Sequence, residues 1–141
     1  MSLYALLADL IVVIHAIWVS VVVLGLLAVL VGATRGWGWV RNIWFRLIHL
    51  GMIGVVVCES VCGIPCPLTV WEDSLRRAAG QAVTDGTFIG RWVHDLLFFE
   101  APPWVFTTVY CLFGAAVLGT MILLPPRFPT STRRPDNQPS P

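Results

Sequence analysis

Four ionisable side chains of this 141-residue chain sit within or beside apolar runs: His15 in the first run, His49 and Glu59 in the second, and His94 in the segment that follows. An ionisable group inside a membrane-spanning segment is costly, and by default it marks function. Histidines on two different helices can ligate one haem iron, so His15 and His49 are candidate axial ligands of a haem b. His15 lies about eight residues, or roughly 12 Å, from one end of its run, and His49 about thirteen residues, or roughly 20 Å, from the same face. The offset of roughly 8 Å opposes a shared haem between upright helices, and a helix tilt of about 20° removes part of it. A second constellation, His15, His94, Glu59 and Glu72, suits a divalent metal such as zinc or iron by ligand type. Neither H-x-x-H nor H-x-x-x-H occurs, so local spacing adds nothing to it. The plain alternative is that His15 and His49 hydrogen-bond across helices and hold a bundle together.

The cysteines raise a separate question. Cys58, Cys62 and Cys66 follow C-x3-C-x3-C, and Cys111 stands alone. At an outer membrane face they would meet an oxidising compartment, where Cys62 and Cys66 can form a disulfide across Pro65 or remain free thiols. Zinc ribbons use C-x2-C pairs, so this spacing gives little support to zinc. Cys58 and Cys111 read as small buried apolar residues.

Other chemistry is sparse. No glycine-rich phosphate loop or nucleophile elbow occurs. The neighbouring acids Glu72 and Asp73, and the pair Asp95 and Glu100, lack catalytic spacing, and Asp73 reads as helix-dipole compensation or solvated surface. An enzyme acting on a lipid or quinone through His94, Glu72 or Asp95 as acid or base has the least support. The chain reads as non-enzymatic.

The elements that carry these residues are apolar helices. Hydrophobic residues make up 57% of the chain and charged residues 12%, against about 25% charged in soluble domains. The net charge is +1, arginine supplies every cation, and no basic patch points to nucleic acid. A spanning helix needs roughly 20 apolar residues. Three runs meet that need, over about 7–32, 42–62 and 103–124. Pro65 and Pro67 end the second run; Pro102 and Pro103 open the third, and Pro125 and Pro126 close it. The leader Met1-Ser2-Leu3-Tyr4 has no basic residue, which argues against a secretory signal peptide.

Segment 63–101 carries too much charge to span. Thr69 and Glu72 form a T-x-x-E capping box, which predicts a short helix over 70–79 closed by Gly80. Thr87 caps a second one over 88–99, with Phe88, Trp92, Leu96 and Phe99 on one face and an Arg91–Asp95 pair on another. Arg35, Arg41 and Arg46 in the first connection, and Arg127, Arg133 and Arg134 in the tail, place both in the cytoplasm by the positive-inside rule. The amino terminus and segment 63–101 then lie outside. Trp37, Trp39 and Trp44 mark one interface and Trp71, Trp92 and Trp104 the other. Residues 127–141 read as a disordered cytoplasmic tail. On the second span Asn42, Arg46, His49, Val56 and Ser60 share a stripe that should face the bundle interior. Gly25, Gly51, Gly54, Gly114, Ala115 and Gly119 read as sites of close helix approach. The expected fold is all-α: an integral membrane bundle of one domain over 1–126, with three main transmembrane helices and one or two short interfacial ones.

The string Cys66-Pro67-Leu68-Thr69-Val70-Trp71-Glu72, followed by Leu75-Arg76-Arg77 and Gly80, resembles the signature of a bacterial membrane family known only as domain of unknown function 2784. The order of features is similar as well: Asp9 and His15 early, then His49 and Glu59, the C-P-L-T-x-x-E segment, Phe88-Ile89 and a last span. The similarity runs from about Leu3 to Leu124. Cys58 and Cys62 are departures from the pattern. The resemblance implies a small helical protein of a bacterial inner membrane, and no activity. Taken together, the sequence suggests an accessory or binding subunit of a larger membrane assembly, possible redox complexes included, with a haem- or metal-binding redox protein as the alternative.

Overall fold

A computed structural model describes residues 2–83, 88, 89, 91, 92 and 102–126. Every regular element among the described residues is helical. Helix α1 runs Leu3–Arg35, α2 Ile43–Cys62, α3 Pro67–Ala78 and α4 Pro103–Leu123, with a 3-10 turn at Gly38–Arg41 between α1 and α2. Residues 88, 89, 91 and 92 are also helical. The rest of the expected second interfacial helix, with Leu96, Phe99 and the Arg91–Asp95 pair, lies outside the described residues, as do the tail and its expected disorder.

Local chemistry sets the boundaries. The Ser2 hydroxyl accepts the Ala5 amide at the start of α1, and Gly36 at φ +72° closes that helix. The left-handed conformation is nearly free for glycine and costs other residues a steric clash. Asn42 caps α2 by accepting the Trp44 amide at 2.9 Å. Gly63 at φ +66° ends α2, and Pro65 and Pro67 forbid its continuation. Gly80 at φ +72° follows α3, in the closing role expected of it.

Helices α1, α2 and α4 are long and apolar enough to cross a membrane. Only 11–17% of their most apolar windows is buried inside the molecule, which suits a lipid environment for the remainder. The 20 and 21 residues of α2 and α4 give about 30 Å each, which matches a bilayer core. The 33 residues of α1 give about 50 Å, a surplus of several turns. Its first turns lie beside α3, where Asp9 meets Arg76. Ala5 and Ala8, both buried, keep that part of α1 narrow.

Where lipid is as apolar as leucine, helices associate through close packing and hydrogen bonds. Val22, Ile53 and Val117 form the centre, flanked by Trp18, Leu26, Leu50, Val57 and Phe113. Helices α2 and α4 pair antiparallel in steps of about seven: Arg46 reaches Thr120, Ile53 and Val57 face Gly114, and Ser60 Oγ donates to Thr107 Oγ1 at 2.8 Å. The polar stripe expected of the second span is interior in part: Arg46 and His49 are buried and Val56 and Ser60 half-buried, but Asn42 is exposed at the helix start. The six tryptophans assigned to the two belts are all exposed.

Glycine placement agrees only in part. Gly25, Gly32 and Gly114 are true contact points, where an added Cβ would lie 2.7–3.0 Å from a neighbouring side chain. At Gly51, Gly54 and Gly119 a Cβ would meet open space, so these are not contacts between helices of this molecule. Gly32→Ala should cost about 1–3 kcal/mol, because its Cβ would strike both methyls of the buried Val40. Gly51→Ala should not destabilise the protein. Thermal unfolding of both variants in mild detergent checks the pair; equal losses would mean that Gly32 is not a contact.

Candidate functional site

Polar groups gather at two levels of the bundle, one at each end. The first is built on α3. Its helix starts at Pro67 with Cys66 as N-cap, three residues earlier than a Thr69 cap allows. Proline at the first position needs no amide partner, and this decides the start. The expected capping box is not formed. Thr69 is buried with its hydroxyl unpaired, and the Glu72 carboxylate turns to side chains instead.

Glu72 is 4% exposed and uses both carboxylate oxygens: Arg76 Nε donates to Oε1 and an Arg91 terminal nitrogen to Oε2, each at 2.8 Å. Arg91 also pairs with Asp73 at 3.0 Å, and Arg76 with Asp9 at 3.3 Å. Asp73 is thus an ion-pair partner rather than solvated surface. The described partners of Arg91 are on α3. The hydrogen bond that Arg76 donates to Glu72, opposed by burial and reinforced by the charges of Glu72 and Asp9, raises the Arg76 pKa above its ordinary value. A carboxylate this buried is tolerable only with such partners.

His15 lies beneath this network. It is buried, its ring stacks on Phe88 at 4.1 Å, and Nδ1 has no hydrogen-bond partner. Glu72 and Arg91 are within electrostatic reach of the ring. A cavity of about 300 Å³ beside it is lined by Val12, Glu72, Arg76, Phe88, Arg91 and Trp92.

His49 is elsewhere. A ring nitrogen, Nε2, donates to the Val22 carbonyl of α1 at 2.7 Å, and the ring occupies the space that a side chain at position 25 would fill. Because a carbonyl only accepts, Nε2 must carry the proton. Val22 lies seven residues beyond His15 on α1, about 10 Å along the axis, so the two histidines engage different levels. The structure therefore does not bring the haem pair onto one plane. Of the metal constellation it brings together His15 and Glu72 but not Glu59, which is beside Cys66. His94 lies outside the described residues. Among the described residues no three His, Cys, Asp or Glu side chains are grouped as a metal would need.

All four cysteines are free thiols, so the Cys62–Cys66 bridge is not formed. Burial pushes the Cys66 thiol up, the Glu59 charge adds to this, and the Leu68 and Thr69 amides at the start of α3 oppose it.

The second level is at the arginine end. Arg46, 3% exposed, donates to the Thr120 carbonyl and, at 3.4 Å, to that of Leu124. Arg41 donates twice to the Pro125 carbonyl, at 3.1 and 3.3 Å. The Thr120 carbonyl also accepts the Leu124 amide at 3.0 Å, whereas Leu124 and Pro125 lie past the last turn of α4, where carbonyls lack helical partners and a cation meets the negative end of the dipole. Sequence reasoning placed Arg46 on the interior stripe but read Arg41 and Arg46 only as topology markers. Pro125 and Pro126, which truncate α4, were the available signal that its last carbonyls need donors.

Fold and polar levels together define a small polytopic helical membrane protein in which Glu72, His49 and Arg46 each bind another part of the molecule. The chain belongs to the family described as protein of unknown function, DUF2784, which matches residues 5–126. No curated protein and no solved structure matches it.

Glu72→Gln should cost about 3 kcal/mol, since two guanidinium groups lose their shared carboxylate, and α3 should detach from α1. Thermal unfolding together with proteolysis of α3 measures this; an unchanged protein would mean that the network is incidental. With Cys58, Cys62 and Cys111 replaced by alanine, alkylation of Cys66 should have a pH midpoint above that of a free thiol, because the raised pKa leaves less thiolate at any given pH. Glu59→Gln should move that midpoint down.

Proposed function

We propose that the chain is a non-catalytic accessory or binding subunit of a larger membrane assembly. It would reside in a bacterial inner membrane as one transmembrane domain, with the amino terminus and α3 outside and the tail in the cytoplasm. The observation that carries this reading is the use made of the buried ionisable groups. Glu72 is held by two guanidiniums, His49 Nε2 by a backbone carbonyl, and Arg46 by the end of α4. Groups so engaged hold helices together, and none is poised as a nucleophile or general base. Arg35, Arg41 and Arg46 around the first connection and Arg127, Arg133 and Arg134 in the tail support the orientation.

One observation favours the alternative, a haem- or metal-binding redox protein. His15 Nδ1 is buried without a partner beneath an acidic network, in reach of Glu72. His94 would complete a ligand set with them, and a redox partner complex would then be the assembly served.

An absorption spectrum and elemental analysis of protein purified in mild detergent separate the two readings. A colourless, metal-free sample is expected. A Soret band, or one equivalent of iron, zinc or copper lost on His15→Ala, would overturn the accessory reading. His49→Gln should keep full stability, because its amide can donate to the Val22 carbonyl, whereas His49→Ala should lose about 1 kcal/mol. A glutamine variant as damaged as the alanine one would contradict a purely hydrogen-bonding histidine.

A further inference from the structure

The arginine end of the bundle holds a cavity of about 270 Å³ bounded by Gly32, Gly36, Trp37, Gly38, Arg41 and Arg46. Its two guanidinium groups are close enough to feel one another's charge. No carboxylate of the described residues pairs with either: every ion pair there involves Arg76 or Arg91. Nor do the adjoining helices offer an acid, since none occurs between Asp9 and Glu59 or between Glu100 and Pro126. Arg46 is 97% buried, complementary to its 3% exposure, and its Nε–H is buried with no hydrogen-bond partner. The α4 carbonyls take up part of the donor capacity of the two side chains and none of their net charge. A buried guanidinium with a spare donor, beside a second and more exposed one, calls for an anion.

From this geometry we infer that the cavity is a binding site for a phosphate group, which two arginine forks suit in shape and charge. The glycine wall leaves the backbone open to a bulky tetrahedral group, and at Gly36 and Gly38 a Cβ would meet nothing within 4 Å. The volume lies just under the roughly 300 Å³ at which small-molecule pockets begin, the size of a headgroup rather than a whole lipid. Trp37 and Trp39 stack on one another beside it, and tryptophans at this level sit among lipid headgroups. The phosphate is therefore that of an anionic phospholipid headgroup or of a soluble phosphate compound, and the shared chemistry is the phosphate itself.

The test is native mass spectrometry of the full chain in neutral detergent, titrated with phosphatidylglycerol and, separately, with diacylglycerol, which has the same acyl chains and no phosphate. One equivalent of phosphatidylglycerol should be retained in preference to diacylglycerol. Arg41→Gln should weaken retention about tenfold, the loss of one charge-assisted contact. Because Arg41 also holds α4, Gly38→Leu supplies a second variant: it leaves both arginines and fills the cavity, and it should weaken retention equally. Inorganic phosphate is then added as competitor. Displacement of the lipid assigns the site to soluble phosphates, and no displacement assigns it to the lipid headgroup; either supports a phosphate site. Equal retention of the two lipids with no binding of inorganic phosphate would overturn it, as would retention by the folded Gly38→Leu protein at the original level.

Discussion

The carboxylate of Glu72 is the constraint on which the α3 end of the molecule depends. It is buried, so it must be paired, and its two oxygens bind guanidiniums from different parts of the chain. Arg76 carries the link on to Asp9 of α1, and Arg91 brings the turn that sets Phe88 over His15. A short amphipathic helix that would otherwise lie loosely on a membrane is thereby fixed to the overlong α1. The cost of burying one charge is offset by a chain of partners, each of which positions another element.

The opposite end solves a different problem by similar means. Helix α4 stops abruptly at two prolines, and its last carbonyls need donors in a place where water is scarce. Arg41 and Arg46 supply them from the other side of a tight turn. The first connection therefore ties three helices: Val40 packs on Gly32 of α1, Asn42 starts α2, and the arginines hold the end of α4.

Much of this was legible in the residues. Apolar run length and proline punctuation locate all three spans, because a bilayer demands length and composition whatever the tertiary context. The interior stripe of α2 was legible too, since Arg46, His49 and Ser60 cannot face lipid. The network around Glu72 was not. A threonine three residues before a glutamate reads as a capping box, and only the earlier start at Pro67 frees Glu72 for other partners. Arg91 and Glu72 are nineteen residues apart, and no local pattern encodes that pairing. Glycines divided in the same way: their type announces close approach, but only the packing separates Gly25 and Gly114 from Gly51 and Gly119, which touch nothing.

The fit between Gly25 and His49 has a consequence for how such a sequence can change. The imidazole fills the volume that a β-carbon at position 25 would occupy, with ring atoms 2.7 Å from where it would be. Neither position is free while the other is held. A larger residue at 25 becomes admissible once the histidine is replaced by something smaller, and a histidine can arise at 49 only opposite a glycine. Across homologous chains the two positions should therefore drift as a single coupled character, detectable as covariation, although they are far apart in the sequence and join helices through a carbonyl that no substitution can remove.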